Sequence, residues 1–168
     1  MEPVRWDVVV IGAGAAGLLA ASRAAERGRR VVVLEKNRQP GVKILMSGGT
    51  RCNITQATDN RGIVAAFGAQ GKFLHSALAS LSVADTMALF ENEGVPVKRE
   101  ETGKIFPVSN RAADVLDALM RRLHRTGARM ALAEPVVELR HQQGGFQLET
   151  PARVLEAAQI ILTTGGQS

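Results

Sequence analysis

From Asp7 the chain reads DVVVI, an apolar stretch that ends at three glycines spread over six positions, Gly12, Gly14 and Gly17. Mostly small and apolar residues follow as far as Gly28, with Arg23, Glu26 and Arg27 among them. The pattern predicts a strand over Asp7–Ile11, a turn over Gly12–Gly17 and a helix over Ala15–Arg27, with Gly28 as its left-handed stop. Arg30–Glu35 (RVVVLE) predicts a second strand, and its unbroken apolar run suits a parallel strand covered on both faces. Asn37–Asn60 is polar and glycine-rich, the pattern of a long functional or mobile loop. Helices are expected over Leu74–Leu81 and Val83–Glu93, the second opened by a Ser82–Asp85 capping arrangement and closed by Gly94. Val95–Arg99 and Lys104–Val108 flank Glu101-Thr102-Gly103 as a hairpin. Arg111–Arg125 carries Val115, Leu116, Leu119, Met120 and Leu123 on one helical face and stops at Gly127. Short strands then follow: Arg129–Ala133, Val136–Arg140, Phe146–Thr150, Arg153–Glu156 and Gln159–Thr164, punctuated by Gly144-Gly145 and Pro151. A β-meander in place of a helical crossover between parallel strands is unusual.

The apolar stretch at the N-terminus resembles a secretion signal only superficially. It is shorter than the roughly 20 residues of a membrane span, acidic Glu2 and Asp7 precede it, and glycines interrupt it. Length and composition exclude further classes. With 168 residues and 45% hydrophobic positions the chain can bury a sizeable core and is not disordered. One cysteine excludes an internal disulfide framework and fits a reducing cytosol. His75, His124 and His141 lack metal-ligand spacing, so no metal site is expected. No Ser-His-Asp order or paired carboxylates suggest hydrolysis.

Charge is basic, with 21 Lys and Arg against 16 Asp and Glu. The arginines gather near two predicted helix ends, Arg23, Arg27, Arg29 and Arg30 at one and Arg121, Arg122 and Arg125 at the other. Cations in a last turn complement the helix dipole, so solvated helix termini explain both groups. Five Phe, one Trp and no Tyr argue against a base-stacking platform for single-stranded nucleic acid. The expected partner is a small-molecule substrate, with neither nucleic acid nor membrane, in the cytoplasm.

The chemistry sits in the first glycine turn. Gly12-Ala13-Gly14-Ala15-Ala16-Gly17 fits G-x-G-x-x-G between a strand and a helix. Gly12 permits the tight turn, Gly14 lets backbone approach a pyrophosphate, and Gly17 lets the helix pack on the strand. Free N–H groups at the helix start and the helix dipole then favour phosphate. Glu35 ends the second strand at about the ~20-residue spacing expected of an acid that binds the adenosine ribose. It would repel a 2′-phosphate, which favours FAD or NAD over NADP at this site. These residues do not choose between FAD and NAD.

Four segments resemble the BaiN-like (HI-type) flavoproteins, NAD(P)/FAD-dependent oxidoreductases related to the fumarate reductase flavoprotein class. They are the glycine turn with Glu35-Lys36, GVKILMSGGTRCNIT (Gly41–Thr55), GKIFPVSNRAADVLDAL (Gly103–Leu119) and TTGGQS (Thr163–Ser168). The resemblance implies an α/β, Rossmann-like FAD/NAD(P)-binding domain of the glutathione-reductase type, a parallel sheet with a β-meander crossover. It implies FAD as cofactor and NAD(P)H as electron donor. Gly12, Ala13, Gly14, Ala16 and Gly17 would hold the pyrophosphate, Glu35 and Lys36 the ribose. Val136 would present its backbone to the adenine, with a core strand residue as the alternative. Thr164 and Gly165 would close the strand beneath the dinucleotide. Lys43, Ser47, Gly48, Arg51, Cys52 and Asn53 are candidates for the pyrophosphate and isoalloxazine side. Arg51 could stabilise anionic flavin or be a surface loop arginine. Cys52 has no C-x-x-C partner and reads best as a small packed residue. Catalytic residues are not identified.

Two positions depart from the family pattern: Thr50 stands where a third glycine is usual, and Thr163 where alanine is commoner. The family is also longer, with a cap or substrate domain and a second flavin-contacting segment. Residues 1–168 are therefore expected to be the FAD-binding, N-terminal part of a two-domain flavoprotein, inactive alone. The expected function is passage of hydride from NAD(P)H to an organic acceptor; the alternatives are a non-catalytic nucleotide-binding fragment and a basic RNA-binding domain.

Overall fold

Three consecutive valines, Val8, Val9 and Val10, are buried in β1 (Arg5–Ile11), which requires neighbours on both faces. In the computed structural model, which describes residues 5–166, β1 is a central strand. It pairs in parallel with β2 (Val31–Leu34) on one side and with β9 (Val154–Leu162) on the other. Between β1 and β2 the chain forms α1 (Ala15–Glu26), and Gly28 takes the left-handed conformation expected of its stop. All four residues of β2 are buried, as the apolar run predicts.

The described residues divide into two units, residues 5–43 with 119–166 and Ile44–Ala118. The first contains a six-stranded sheet in the order β6-β2-β1-β9-β8-β7. β6 (Arg129–Ala131) extends the parallel part beside β2, while β7 (Glu138–Gln142), β8 (Gly145–Glu149) and β9 form an antiparallel meander. The chain thus passes from one parallel strand, β6, to another, β9, through two antiparallel strands. This is a Rossmann-type architecture, a parallel-dominated sheet with a meander crossover. Trp6, Val9, Val32, Leu34, Leu148, Leu155 and Ala157 form one buried cluster, joining the meander to the parallel strands.

The second unit is built on a small antiparallel sheet in the order β3-β5-β4. Its strands are β3 (Thr55–Gln56), β4 (Val97–Arg99) and β5 (Lys104–Pro107), with Ile105 and Phe106 of β5 buried. Around Glu101–Gly103 the expected hairpin forms. Helices α3 (Asn60–Ala66), α4 (His75–Ser80) and α5 (Val83–Asn92) belong to this unit, with a 3-10 turn over Gly68–Leu74. The Ser82–Asp85 capping box opens α5 as predicted. The chain passes between units within α2 (Val42–Met46) and α6 (Ala112–Arg125). Of the predicted α6 face, Val115, Leu116, Leu119 and Leu123 are buried and Met120 half-buried.

Several boundaries differ from the sequence expectation. Arg153–Glu156 and Gln159–Thr164 are joined in one strand, β9 (Val154–Leu162), because Ala157 and Ala158 continue it and Ala157 pairs with Phe146 of β8 and Trp6 of β1 at once. β7 starts at Glu138, so Val136 lies in the extended segment before it. Asn37–Asn60 is not a bare loop, since it contains α2 and β3. The predicted Leu74–Leu81 helix is α4 preceded by the 3-10 turn, and α3 carried no periodic signal in the sequence. Among the described residues no single helix is long and apolar enough to cross a membrane.

A glycine turn and a buried glutamate

At the carboxyl end of β1 the backbone turns sharply through Gly12, whose φ is +106°. A Cβ there would lie 2.6 Å from the Thr163 carbonyl oxygen. Gly17 is equally constrained: a Cβ would collide with the Gly12 carbonyl and lie 2.7 Å from Thr163 Oγ1. These two glycines serve the fold. Gly14 does not, for its φ of −80° suits any residue and a Cβ would meet nothing within 4 Å. Among the described residues nothing fills the space beside it, which leaves room there for a group from outside the chain.

The amides agree. Gly14 is the N-cap of α1 and offers no side-chain cap. Leu18 N–H donates to the Gly14 carbonyl, but among the described residues the N–H groups of Gly14, Ala15, Ala16 and Gly17 meet no acceptor. Unsatisfied amides at the start of a 12-residue helix bind an anion, with the helix dipole adding to the attraction.

Glu35 points at this turn. It follows β2, is only 7% exposed, and its Oε2 accepts from Ala13 N–H at 2.7 Å. Oε1 accepts from Asn37 twice, from N–H at 2.9 Å and from Nδ2 at 2.8 Å. A carboxylate has about four acceptor positions, so about one remains for a sugar hydroxyl. The strand–turn–acid spacing in the sequence does not reveal these internal donors. Asn37 itself was missed; an amide two residues beyond a strand-end acid is the signal that could have found it. Lys36 is exposed.

Val136 packs against the core cluster while half-buried. A second carboxylate fixes its segment: Glu134 is buried, receives Arg153 Nε (2.8 Å) and Arg153 Nη2 (3.0 Å), and accepts from Thr150 Oγ1 at 3.1 Å. Its N–H donates to the Glu35 carbonyl, so the two acids are tied through backbone. Glu134 was not legible as a positioning residue from sequence. Thr163 is more than a tolerated replacement, because its hydroxyl lies 2.9 Å from both the Ile11 and Gly12 carbonyls, beneath the turn. β9 ends at Leu162, and Thr164 and Gly165 lie exposed just beyond it, with Gly165 at φ +76°. Lys43 Nζ donates to the Gly166 carbonyl at 3.2 Å. Gln167 and Ser168, the end of the TTGGQS segment, lie outside the described residues.

In the second unit, Ser47–Asn53 forms a tight loop. Gly48, Gly49, Thr50 and Cys52 all have left-handed φ, between +57° and +69°. For Thr50, a β-branched residue, this is strained, and its carbonyl is held by Ala112 N–H. Cys52 is buried, and its N–H donates to the Ser47 carbonyl. Burial pushes its thiol pKa up, partly offset by a hydrogen bond with the Ser47 side chain. That suits a packed thiol better than a reactive one. Arg51 is occupied within its unit: Nη1 donates to Glu100 at 2.6 Å, and the guanidinium stacks 4.0 Å from the Phe106 ring centroid. The Asn53 amide, oriented with its nitrogen toward acceptors, donates to the Thr55 (3.0 Å) and Ile105 (3.3 Å) carbonyls.

A turn of glycines and alanines, orphaned amides at a helix start and a buried acid after the neighbouring strand make this a Rossmann-type dinucleotide-binding domain, and its family makes it the FAD-binding domain of a flavin oxidoreductase. More narrowly, the chain belongs to the HI0933-like protein Rossmann domain family, whose model matches residues 6–168. It is 31% identical over 164 residues to the ribosomal RNA dihydrouridine synthase of Escherichia coli (strain K12), covering 98% of this chain and 40% of that protein. The protein of that name from Haemophilus influenzae is also 31% identical, over 95% of this chain and 40% of its own length. The chain thus spans 40% of the length of these relatives. Among solved structures, the Mycobacterium smegmatis Sdh1 complex in the apo form superposes with a TM-score of 0.74 over 99% of this chain and 35% of that one, at 23% identity.

Proposed function

We propose that this chain is the FAD-binding part of a flavin-dependent reductase that passes hydride from NAD(P)H to an organic acceptor, and that the acceptor is a uracil ring in ribosomal RNA. The observation that carries the cofactor is Gly14, a glycine where an added Cβ would meet nothing within 4 Å among the described residues. The acceptor rests on the names of two relatives matched over nearly the whole of this chain. The paucity of aromatics speaks against stacking of single strands; it does not bear on recognition of structured RNA through its phosphates.

Bound FAD would supply the two-electron chemistry. The chain's own residues bind and orient it. The amides of Gly14 to Gly17 neutralise the pyrophosphate, Glu35 fixes the ribose with its remaining acceptor position, and the segment held by Glu134 presents Val136 to the adenine. Thr163 keeps the Gly12 turn in register with the β9 end. In the acceptor, one hydride and one proton add across the electron-poor C5=C6 bond of uracil while NAD(P)H becomes NAD(P)⁺.

The test uses the longest reading frame that contains the chain, purified with FAD and mixed anaerobically with NAD(P)H and protein-free ribosomal RNA. Nicotinamide oxidation matched by dihydrouridine formed supports the proposal. Flavin that is reduced by NAD(P)H but never reoxidised by RNA removes the RNA acceptor. A second reading, a nucleotide-binding module without catalysis, is favoured if the reading frame ends with this chain and bound FAD is not reduced.

A further inference from the structure

Sequence alone scatters the arginines over two helix ends, but the fold brings them to one edge of the sheet. Parallel pairing of β1, β2 and β6 places the turn after α1 beside the turn after α6, at the amino ends of the strands. Arg122 Nη2 meets Glu26 Oε1 at 2.6 Å, joining the two helix ends. Arg30 and Arg129, 99 positions apart in the chain, approach the same Trp6 ring, at 5.4 and 5.8 Å from its centroid. Arg27 and Arg29 project from the same turn as Arg30, and Arg5 begins the central strand. All five are exposed.

The carboxylates at this edge do not cancel them. Asp7 accepts from the Arg30 backbone N–H, Glu26 is taken up by Arg23 and Arg122, and Glu156 is half-buried in β9. Among the described residues, Arg27, Arg29, Arg30 and Arg129 make no ion pair. An excess of like charge, five arginines against Asp7 and Glu156, favours a polyanion. Helix-dipole compensation accounts for a cation at one helix end, not for arginines from two distant segments around one indole.

We infer that this edge is an RNA-docking surface that grips backbone phosphates; the inference rests on the ribosomal RNA reading above. It lies at the opposite end of β1 from the glycine turn, about 20 Å away for a strand of this length. The surface therefore anchors a part of the RNA remote from the reacting base and leaves the cofactor turn untouched. Arginine is suited to this role, since its planar fork pairs bidentately with phosphate.

The experiment compares the chain with the triple variant Arg27→Gln, Arg29→Gln, Arg129→Gln and with a control, Arg38→Gln, Arg61→Gln, that carries two substitutions elsewhere. Binding of fluorescently labelled, protein-free ribosomal RNA is titrated at several salt concentrations, with phosphatidylglycerol vesicles as a second probe. FAD content reports folding of every variant. The expected result is a loss of about tenfold or more in RNA affinity for the triple variant, with the slope of log affinity against log salt reduced by about two to three, and little change in the control. An unchanged slope in the triple variant overturns the docking surface and leaves the RNA acceptor standing. Failure of the FAD-loaded wild-type chain to bind RNA overturns both. Vesicle binding as tight as RNA binding, and equally sensitive to the triple variant, assigns the edge to membranes instead and also overturns the inference.

Discussion

Gly14→Val separates what the glycine turn does for the fold from what it does for a ligand. At Gly14 the backbone is extended and a Cβ meets nothing within 4 Å among the described residues, so a valine starts from open space. The change at an N-cap without a side-chain bond should alter stability by no more than about 1 kcal/mol. Gly17→Ala is the contrast, because its Cβ collides with the Gly12 carbonyl and the backbone of the turn must move. Its cost is expected at the upper end of the roughly 1–3 kcal/mol seen for overpacking. In the presence of FAD the order changes. Branched carbons at Gly14 occupy the space assigned to the pyrophosphate, and a loss of at least 100-fold in affinity, about 2.7 kcal/mol, is expected. FAD at 100 times its dissociation constant should stabilise the wild-type chain by about 2.7 kcal/mol, a rise in Tm of about 5–11 °C. The assay is thermal unfolding with and without FAD, paired with a flavin fluorescence titration. Wild type should shift, and Gly14→Val should melt where unliganded wild type melts and not shift. A Gly14→Val chain that shifts as wild type does, or one that is destabilised as much as Gly17→Ala without FAD, refutes the reasoning.

Four other outcomes follow from the same geometry. Glu35→Gln sets an amide nitrogen against either Ala13 N–H or the two Asn37 donors, so chemical denaturation should show a loss of about 1–3 kcal/mol, with weaker flavin binding. Thr163→Val keeps the shape and removes the hydroxyl beneath the turn; a loss of about 1 kcal/mol is expected, and no loss would make that contact incidental. Thr50→Gly relieves a left-handed threonine and should raise stability by about 0.5–1 kcal/mol after glycine's own entropy cost, measurable as an increased urea midpoint. The Cys52 thiol has its pKa raised by burial, so the folded chain keeps its proton after the unfolded chain has lost its own. Its contribution to stability is then complete below about pH 8.5 and falls as pH rises through the folded value. Iodoacetamide labelling of the native chain should remain slow until well above the range of an exposed thiol, and fast labelling at pH 8 contradicts this.

Much of the first unit is legible because local rules and tertiary demands coincide there. The apolar run of β1, the spacing of Gly12, Gly14 and Gly17, the stop at Gly28 and the acid at Glu35 each carry a signal within a few residues, and all agree. The capping box at Ser82 and the stop after α6 are read in the same way. Long-range effects were less visible. That Ala157 joins two expected strands into β9 depends on simultaneous pairing with β8 and β1, which no local pattern records. Asn37 and Glu134 position the site through partners distant in sequence: Ala133 N–H holds the Asn37 carbonyl, and Arg153 holds the Glu134 carboxylate. The coming together of Arg30 and Arg129 at Trp6 was hidden for the same reason. Arg51, conspicuous within a motif, is held by Glu100 and Phe106, partners that the motif itself does not name.

Amide chemical shifts of the isotope-labelled chain titrated with ADP interrogate the adenosine diphosphate half of the site residue by residue. Saturable shifts concentrated at Ala13 to Gly17 and at Glu35 to Asn37, absent in Gly14→Val, are the predicted result. Saturable shifts centred elsewhere in the chain, with those amides unmoved, would contradict the account.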